Sequence, residues 1–138
     1  MRAEGNREAM LRFYEAINQH DVDAVAACIA EDTVAHCLPE ELGRTRADYL
    51  RFVQTAFEAF PDFHFEVLDV VVEGDRVAAR FRSTGTHEGE FMGIPASGRA
   101  FKVEGSDFCR FDDEARITAH WAYADNLELM QQLGVMPR

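Results

Sequence analysis

The last strand-like segment of the sequence ends on a carboxylate. Asp125 follows an alternating run, and one face of that run carries Ile117, Ala119, Trp121 and Tyr123. A carboxylate among apolar neighbours has a raised pKa, which suits general acid–base catalysis near neutral pH. The stretch from Asp125 to Glu128 equally fits a helix N-cap with an acidic residue three positions on. The sequence therefore leaves two roles open for Asp125, catalysis and capping, and the two can coexist.

A second carboxylate lies within the preceding strand-like segment. Asp107 shares its face with residues that are mostly apolar, namely Phe101, Val103, Cys109 and Phe111. It either shares a proton or a water with Asp125, or is a hydrogen-bonded polar residue near the end of the sheet. On the last strand the same alternation predicts that His120 points away from the helices. We therefore expect at most two carboxylates, Asp107 and Asp125, to point into the fold.

Hydroxyl and imidazole groups supply the remaining polar candidates. Tyr14 on the first helix and Tyr123 on the last strand can donate to a developing oxyanion, or pack in the core with a satisfied hydroxyl. His87, within Thr-His-Glu-Gly, is either a base or anion stabiliser, or a surface histidine beside a loop. His36 follows a short strand and is predicted at the mouth of a pocket.

Apolar side chains are predicted to line that pocket together with the polar candidates. This lining set is Phe57, Phe91, Met92, Trp121 and Cys109. The three cysteines lack C-x-x-C spacing, so we interpret them as core or pocket-lining thiols. The five histidines lack compact ligand spacing, and the sequence contains neither a phosphate-binding loop nor a serine elbow. We therefore expect no metal and no cofactor.

The elements that must position these residues change character along the chain. Apolar residues at helical spacing predict helices over 3–19, from 22 onwards, and from a capping box at Thr45 to Pro61. Period-two alternation then predicts strands over 63–73, 76–87, 99–111 and 116–124, before a short helix that ends at Gly134. Long antiparallel strands twist and curl. The expected fold class is α+β: a cone-shaped, curved antiparallel sheet whose concave face is covered by three N-terminal helices.

Composition excludes several classes of protein. The 138 residues match one domain, predicted to span 1–138, with ordinary hydrophobic (47%) and charged (28%) fractions. The net charge of −11 disfavours nucleic acid and anionic membranes as partners, because both require a basic surface. The sequence has no apolar run of about 18 residues, and its first residues lack an apolar signal core. A cytoplasmic location is expected.

The order and spacing of several short motifs resemble the SnoaL-like polyketide cyclases, within the superfamily of nuclear transport factor 2, over about residues 6–135. In chain order the motifs are Phe13-Tyr14 with Asn18, Asp21-Val-Asp23, Asp32–His36, Gly43-Arg44, Ala59–Asp62, Glu73–Ala78, Gly85–Pro95, Gly98-Arg99, Trp121–Asp125 and Gln132-Leu-Gly134. The resemblance implies a cone fold, a homodimer packed through the outer sheet face, and cofactor-free chemistry in an apolar cavity.

The resemblance also implies a reaction. In the characterised cyclases an aspartate at the end of the last long strand removes a proton α to a carbonyl, and the enolate closes a ring by intramolecular aldol addition. That aspartate matches Asp125, and a pocket tyrosine on the first helix matches Tyr14. The cyclases place histidines near the acid, whereas the matching inward positions here are Asp107, Cys109 and Tyr123. The expected substrate is small and apolar or polyketide-like.

Two alternatives stay open at this point. An Asp107–Asp125 pair that holds a water would favour an isomerase, a dehydratase or an epoxide hydrolase of the same superfamily. A cavity without catalysis would make the protein a binder of apolar ligands, with Asp125 only capping the final helix.

Overall fold

The computed structural model describes residues 2–137, and side chains from residue 4 onwards. Within that range the helices are α1 (Arg2–Asn18), α2 (Val22–Ala27), α3 (Arg46–Ala59) and α4 (Asn126–Gln132), with one 3₁₀ turn at Glu40–Leu42. The strands are β1 (Ile29–Ala35), β2 (His64–Glu73), β3 (Arg76–Thr86), β4 (Ala100–Phe111) and β5 (Ile117–Ala124). The α+β fold class is confirmed, and the long strands begin and end within a residue or so of their predicted limits.

The five strands form one curved, unclosed sheet in the order β1-β5-β4-β3-β2. The pairs β2–β3, β3–β4 and β4–β5 are antiparallel, as predicted, whereas β1 pairs with β5 in parallel. The short strand expected before His36 is β1, which spans Ile29–Ala35 and extends the sheet at the edge beside β5. This addition brings the loop after β1 next to the last strand.

Local sequence signals explain where the helices begin and end. Asp21 accepts from the backbone N–H of Ala24 and caps α2. Thr45 and Asp48 form the predicted capping box at the start of α3, and Pro61 follows the end of that helix. Each of the two caps satisfies backbone N–H groups that a helix start leaves unpaired.

The core lies between the helices and the concave face of the sheet. Helix α1 packs on β2 and β3, α3 packs on β1, and α2 fills the corner between α1 and α3. The most deeply buried apolar side chains come from both layers and are Met10, Phe13, Val25, Val77, Cys109 and Ile117. Among the helices of residues 2–137, none is long and apolar enough to cross a membrane.

A β-bulge near the start of β5 reverses the predicted faces of that strand. Arg110 pairs with Ala119, but the next residue of β4, Phe111, pairs with Ile117, so β5 carries one extra residue. His120 is consequently only 5% exposed and points into the fold, whereas Tyr123 is 66% exposed on the outer face. The predicted orientations of His120, Trp121 and Tyr123 were therefore wrong, because strict alternation does not survive a bulge.

Candidate active site

Three polar side chains from three different elements meet in the buried interior. Tyr14 of α1 donates its hydroxyl proton to Asp107 Oδ2 of β4, with 2.6 Å between the oxygens. On β5, His120 Nε2 lies 2.8 Å from the second carboxylate oxygen, Asp107 Oδ1. All three residues are at most 5% exposed. We call these three residues the buried cluster.

The hydrogen bonds explain how a carboxylate is accommodated in this position. A buried charge is costly unless it is paired and hydrogen-bonded, and here each oxygen of Asp107 accepts from a separate donor. Because Nε2 of His120 faces a carboxylate, we assign a proton to that nitrogen. The ring is thereby held in one orientation, with Nδ1 on its far side.

Opposing influences act on the pKa of His120. Burial alone would lower it, but Cys109 and the carboxylate of Asp107 outweigh burial and hold this pKa well above its ordinary value. Cys109 contributes only as a thiolate, and burial raises the pKa of that thiol to about 12. At neutral pH the charge that acts on His120 is therefore that of Asp107.

The second nitrogen of His120 faces a thiol. Cys37 Sγ lies 3.6 Å from His120 Nδ1. The backbone N–H of Cys37 also donates to the carbonyl oxygen of His120 at 3.0 Å, which fixes the loop after β1 against β5. Thiol, imidazole and carboxylate thus follow one another in the order Cys37, His120, Asp107.

A cavity of about 230 Å³ opens beside these groups. Its polar wall consists of Cys37, Tyr49, Asp107, His120 and Asn126. The rest of its lining is apolar and consists of Phe13, Phe52, Phe65, Phe81, Ala122 and Ala124. Mostly apolar walls with a few convergent polar groups are typical of small-molecule sites.

Tyr49 supplies an unused hydrogen-bond donor in this cavity. The residue is 7% exposed and lines the cavity from α3. Its hydroxyl makes no hydrogen bond to any residue that the structure describes. Burial, followed by the proximity of Cys37 and Asp107, holds the pKa of Tyr49 well above its ordinary value, so the hydroxyl keeps its proton.

A larger cleft of about 670 Å³ lies on the surface, between the end of β3, the start of β4 and α4. Its walls include Asp62, Arg99, Lys102 and Gln132, and it does not reach the buried cluster. Size alone therefore does not identify the site, and we take the smaller cavity because the perturbed titratable groups line it.

The comparisons with known proteins agree with this architecture. The model of the SnoaL-like polyketide cyclase family matches residues 8–133. The chain belongs to this family. No curated protein sequence matches it at a significant level.

Solved structures resemble this SnoaL-like protein over almost its whole length. IdmH from Streptomyces antibioticus, a candidate polyketide cyclase, is 36% identical with a TM-score of 0.80, over 94% of this chain and 98% of that one. TsrD from Streptomyces laurentii is 27% identical with a TM-score of 0.88, over 99% of both chains. AclR from Streptomyces galilaeus, a candidate hydroxylase, is 29% identical with a TM-score of 0.86, over 99% of this chain and 85% of that one.

Asp125 of this SnoaL-like protein lies at the N-terminus of α4. Its carboxylate accepts from the backbone N–H of Glu128 at 3.0 Å, so the capping interpretation is confirmed. Asp125 is exposed and does not line the cavity, although the next residue, Asn126, does. Both oxygens of Asp107 already accept hydrogen bonds from protein donors. This arrangement does not favour a water held between Asp107 and Asp125. The catalytic role of Asp125 stays a prediction.

Three other predicted site residues lie on the outer face of the sheet. His36 stacks on Trp121 with 4.7 Å between ring centroids, and Arg44 Nη1 lies 3.2 Å from His36 Nδ1. Trp121 also contacts Phe108 edge to face, beside the exposed Tyr123. We call Phe108, Trp121 and Tyr123 the outer aromatic patch. His36 and this patch do not line the cavity beside the buried cluster.

The remaining predicted residues are spread over the core and a neighbouring loop. His87 is fully buried, stacks on Phe60, and has Nδ1 3.0 Å from Ser97 Oγ. Phe91 packs against the same Phe60, and Met92 is 48% exposed. Phe57 and Cys109 are core residues outside the cavity lining. Of the predicted set, only Asp107 and Tyr14 meet at the site.

Sequence reasoning missed His120, Cys37 and Tyr49 as members of one site. Cys37 was interpreted only as a core or pocket-lining thiol, and the cavity lining confirms the second interpretation. Tyr49 was not among the predicted site residues. No local signal joins these three positions, because the parallel pairing of β1 with β5 and the bulge bring them together. Within residues 2–137, no group of three or more His, Cys, Asp or Glu side chains is placed to hold a metal ion.

Proposed function

We propose that this protein is a cofactor-free, polyketide cyclase-like enzyme. It removes a proton α to a carbonyl of an apolar substrate, and the enolate then closes a ring by intramolecular aldol addition. One observation carries the proposal: His120 is held by Asp107 through Nε2 and has its other nitrogen at the wall of an apolar cavity. Family membership over residues 8–133 supports the same reaction class.

His120 acts as the general base. The neutral form of His120, whose population grows as the pH rises towards its raised pKa, is the form that acts as the base. In this form Asp107 keeps the proton on Nε2, so Nδ1 carries the lone pair that accepts the substrate proton. Tyr14 is a positioning residue, because its hydroxyl binds the second oxygen of Asp107 and does not line the cavity. The arrangement parallels other catalytic sites in which a buried carboxylate orients an imidazole.

Tyr49 stabilises the enolate oxygen. Its hydroxyl remains protonated, lines the cavity and makes no hydrogen bond to the described residues, so it is available to a substrate oxygen that gains negative charge. A donor already aimed at a developing charge needs no reorganisation when the charge appears. In the second half of the reaction the imidazolium of His120 returns the proton to the new alkoxide.

The dimensions of the cavity suggest which part of a substrate it takes. About 230 Å³ is below the usual 300–1,000 Å³ of sites that enclose a drug-sized ligand. The small side chains of Ala122 and Ala124 form one wall and are exposed to solvent. We propose that the reacting carbonyl end enters between the phenylalanines while the rest of a longer chain remains at the mouth. Confinement of a flexible chain in this way favours ring closure.

The outer aromatic patch supports a homodimer. Tyr123 and Phe108 are 66% and 38% exposed, beside an ion-pair network in which Arg80 and Arg82 both bind Glu104. Exposed aromatic residues with charged neighbours are typical of protein interfaces. Sedimentation should give a dimer for the wild type and a monomer for Tyr123→Glu. A wild-type monomer would refute this part of the proposal. A cytoplasmic location stays a prediction of the sequence.

The test of the reaction is enolisation of a simple apolar ketone. Benzylacetone incubated with the protein in D₂O should lose its α-proton NMR signals faster than in buffer. His120→Gln should lower this rate by about 10²–10⁴-fold, because it removes the general base. Circular dichroism of the variant checks that it is folded. Equal rates for the wild type and a folded His120→Gln would refute the proposed base.

A further inference from the structure

Cys37 gives the same cavity a second chemical capability. We infer that Cys37 is a nucleophile that accepts an acyl group from a thioester substrate, with His120 as its base. The inference rests on the cavity and the His120–Asp107 pair of the proposed function. It does not depend on enolisation or on ring closure. With Cys37 as the nucleophile, the substrate of this cavity is an apolar acyl thioester.

The geometry is that of an activated nucleophile. Cys37 Sγ lies 3.6 Å from His120 Nδ1, and His120 Nε2 lies 2.8 Å from Asp107 Oδ1. A nucleophile beside a base that a third group orients is the recurring signature of covalent catalysis. The three residues come from the loop after β1, from β5 and from β4, and Cys37 lines the cavity.

Tyr49 points to a ligand independently of the thiol. Tyr49 is more than nine-tenths buried, lines the same cavity, and makes no hydrogen bond through its hydroxyl to any of residues 2–137. The hydroxyl oxygen is not sealed from the cavity, so a ligand oxygen that enters the cavity can accept its proton. The proximity of Cys37 is among the causes that raise the pKa of Tyr49, so hydroxyl and thiol lie near one another. An acyl carbon attacked by Sγ would place its oxygen within reach of this donor.

The other two cysteines serve as internal comparisons. Cys109 is fully buried and does not line the cavity, and burial raises the pKa of its thiol to about 12. Cys28 lies beside a different surface cleft with Arg12 and Glu15, and burial also raises the pKa of its thiol. Neither of them has a histidine as a hydrogen-bond partner among the described residues. Acylation is therefore expected at Cys37 alone.

The step balances without any further reactant. The step starts from neutral His120, with its one proton on Nε2. The Cys37 thiol gives its proton to His120 Nδ1 as Sγ bonds to the carbonyl carbon, and the carbonyl oxygen becomes an oxyanion bound by Tyr49. The oxyanion then collapses, the original carbon–sulfur bond breaks, and the leaving thiolate takes the proton from His120. One thioester is consumed, one is formed on Cys37, and one free thiol is released.

The experiment uses the full-length chain and the butyryl thioester of N-acetylcysteamine. Intact-mass spectrometry should show one added acyl group, and peptide mapping should locate it on Cys37. Cys28→Ser should acylate at the wild-type rate, and Cys37→Ala should not acylate. No adduct on the wild type, or an adduct that forms first on Cys28, would overturn the inference.

The variant Tyr49→Phe tests whether the Tyr49 hydroxyl binds the oxyanion, as distinct from the Cys37 thiol being reactive by itself. This variant loses only an unpartnered hydroxyl and should fold. Its acylation by the thioester should slow by about 10²–10³-fold, because one oxyanion donor is missing. Its alkylation by iodoacetamide, which forms no oxyanion, should keep the wild-type rate. Equal losses in both reactions, or no loss in either, would contradict the assignment.

A parallel assay distinguishes this inference from the proposed function. Cys28→Ser changes no residue of the cavity and should keep the wild-type rate of α-proton exchange of benzylacetone. Exchange without acylation in the wild type would overturn the inference and leave the proposed function intact. Acylation without exchange would overturn the proposed function and leave the nucleophile.

Discussion

Replacement of Asp107 by asparagine removes one negative charge from the buried cluster and leaves the size of the side chain unchanged. In the wild type the Asp107 carboxylate, 2.8 Å from Nε2, helps to hold the pKa of His120 well above its ordinary value, against the effect of burial. An opposite charge at such a distance shifts a pKa by about 1–3 units. We therefore expect Asp107→Asn to lower the pKa of His120 by about that amount, equivalent to about 1.4–4 kcal/mol.

The raised pKa of His120 also determines how the difference in unfolding free energy between the wild type and Asp107→Asn depends on pH. The folded pKa of His120 lies above its unfolded value of about 6.5, so its ion pair stabilises the protein fully below about pH 6.5. This contribution disappears as the pH rises through the folded pKa, because the imidazole becomes neutral. The loss of unfolding free energy in Asp107→Asn should therefore be largest near pH 6 and smaller under alkaline conditions.

Proton NMR of the histidine rings, followed over a pH titration, measures the shift directly. The His120 resonances are identified by their absence in His120→Gln, and urea unfolding at two pH values supplies the stability difference. Asp125→Asn is the matched control, because it removes the same charge from a helix cap outside the cavity. If the pKa of His120 were the same in Asp107→Asn as in the wild type, the electrostatic account of the cluster would be wrong.

Two further substitutions test separate parts of the structure. Tyr14→Phe removes a buried donor to a carboxylate, so urea unfolding should show a loss of about 1.5–3 kcal/mol; a loss near zero would mean that this hydrogen bond is not formed. Asp125→Ala removes the acceptor for the N–H of Glu128 and should cost about 1 kcal/mol, whereas Asp125→Asn keeps an acceptor and should remain near wild-type stability. Equal losses for both Asp125 variants in thermal unfolding would argue against capping.

Most of the fold could be predicted from local signals in the sequence. These signals determine the structure of residues close to them in the sequence. Examples are the helix cap formed by Thr45 with Asp48, the end of α3 before Pro61, and the change from helical to alternating spacing after Phe63. The length of β3 and β4 was also visible as sustained alternation, and this length implies curvature. The parallel pairing of β1 with β5 was not predicted, because strand order depends on contacts between distant parts of the chain.

The site was predicted only in part, and the bulge in β5 explains much of the difference. Asp107 and Tyr14 lie on regular elements, so their periodicity correctly predicted inward positions. His120 follows the extra residue of β5, which exchanges the two faces of the strand. Cys37 lies in a loop whose position follows from long-range pairing. The alternation of apolar and polar residues within one strand predicts neither the bulge nor the pairing of distant strands.

The proposed reaction depends on His120, held by Asp107 in the cavity, as the catalytic base. The most direct test is the rate of α-proton exchange of benzylacetone in two variants that each remove one carboxylate, Asp107→Asn and Asp125→Asn. We expect Asp125→Asn to keep the wild-type rate, and we expect Asp107→Asn to change the rate and move its pH dependence towards acid. A rate lost in Asp125→Asn and unchanged in Asp107→Asn would contradict this expectation and assign the base to the carboxylate at the N-terminus of α4.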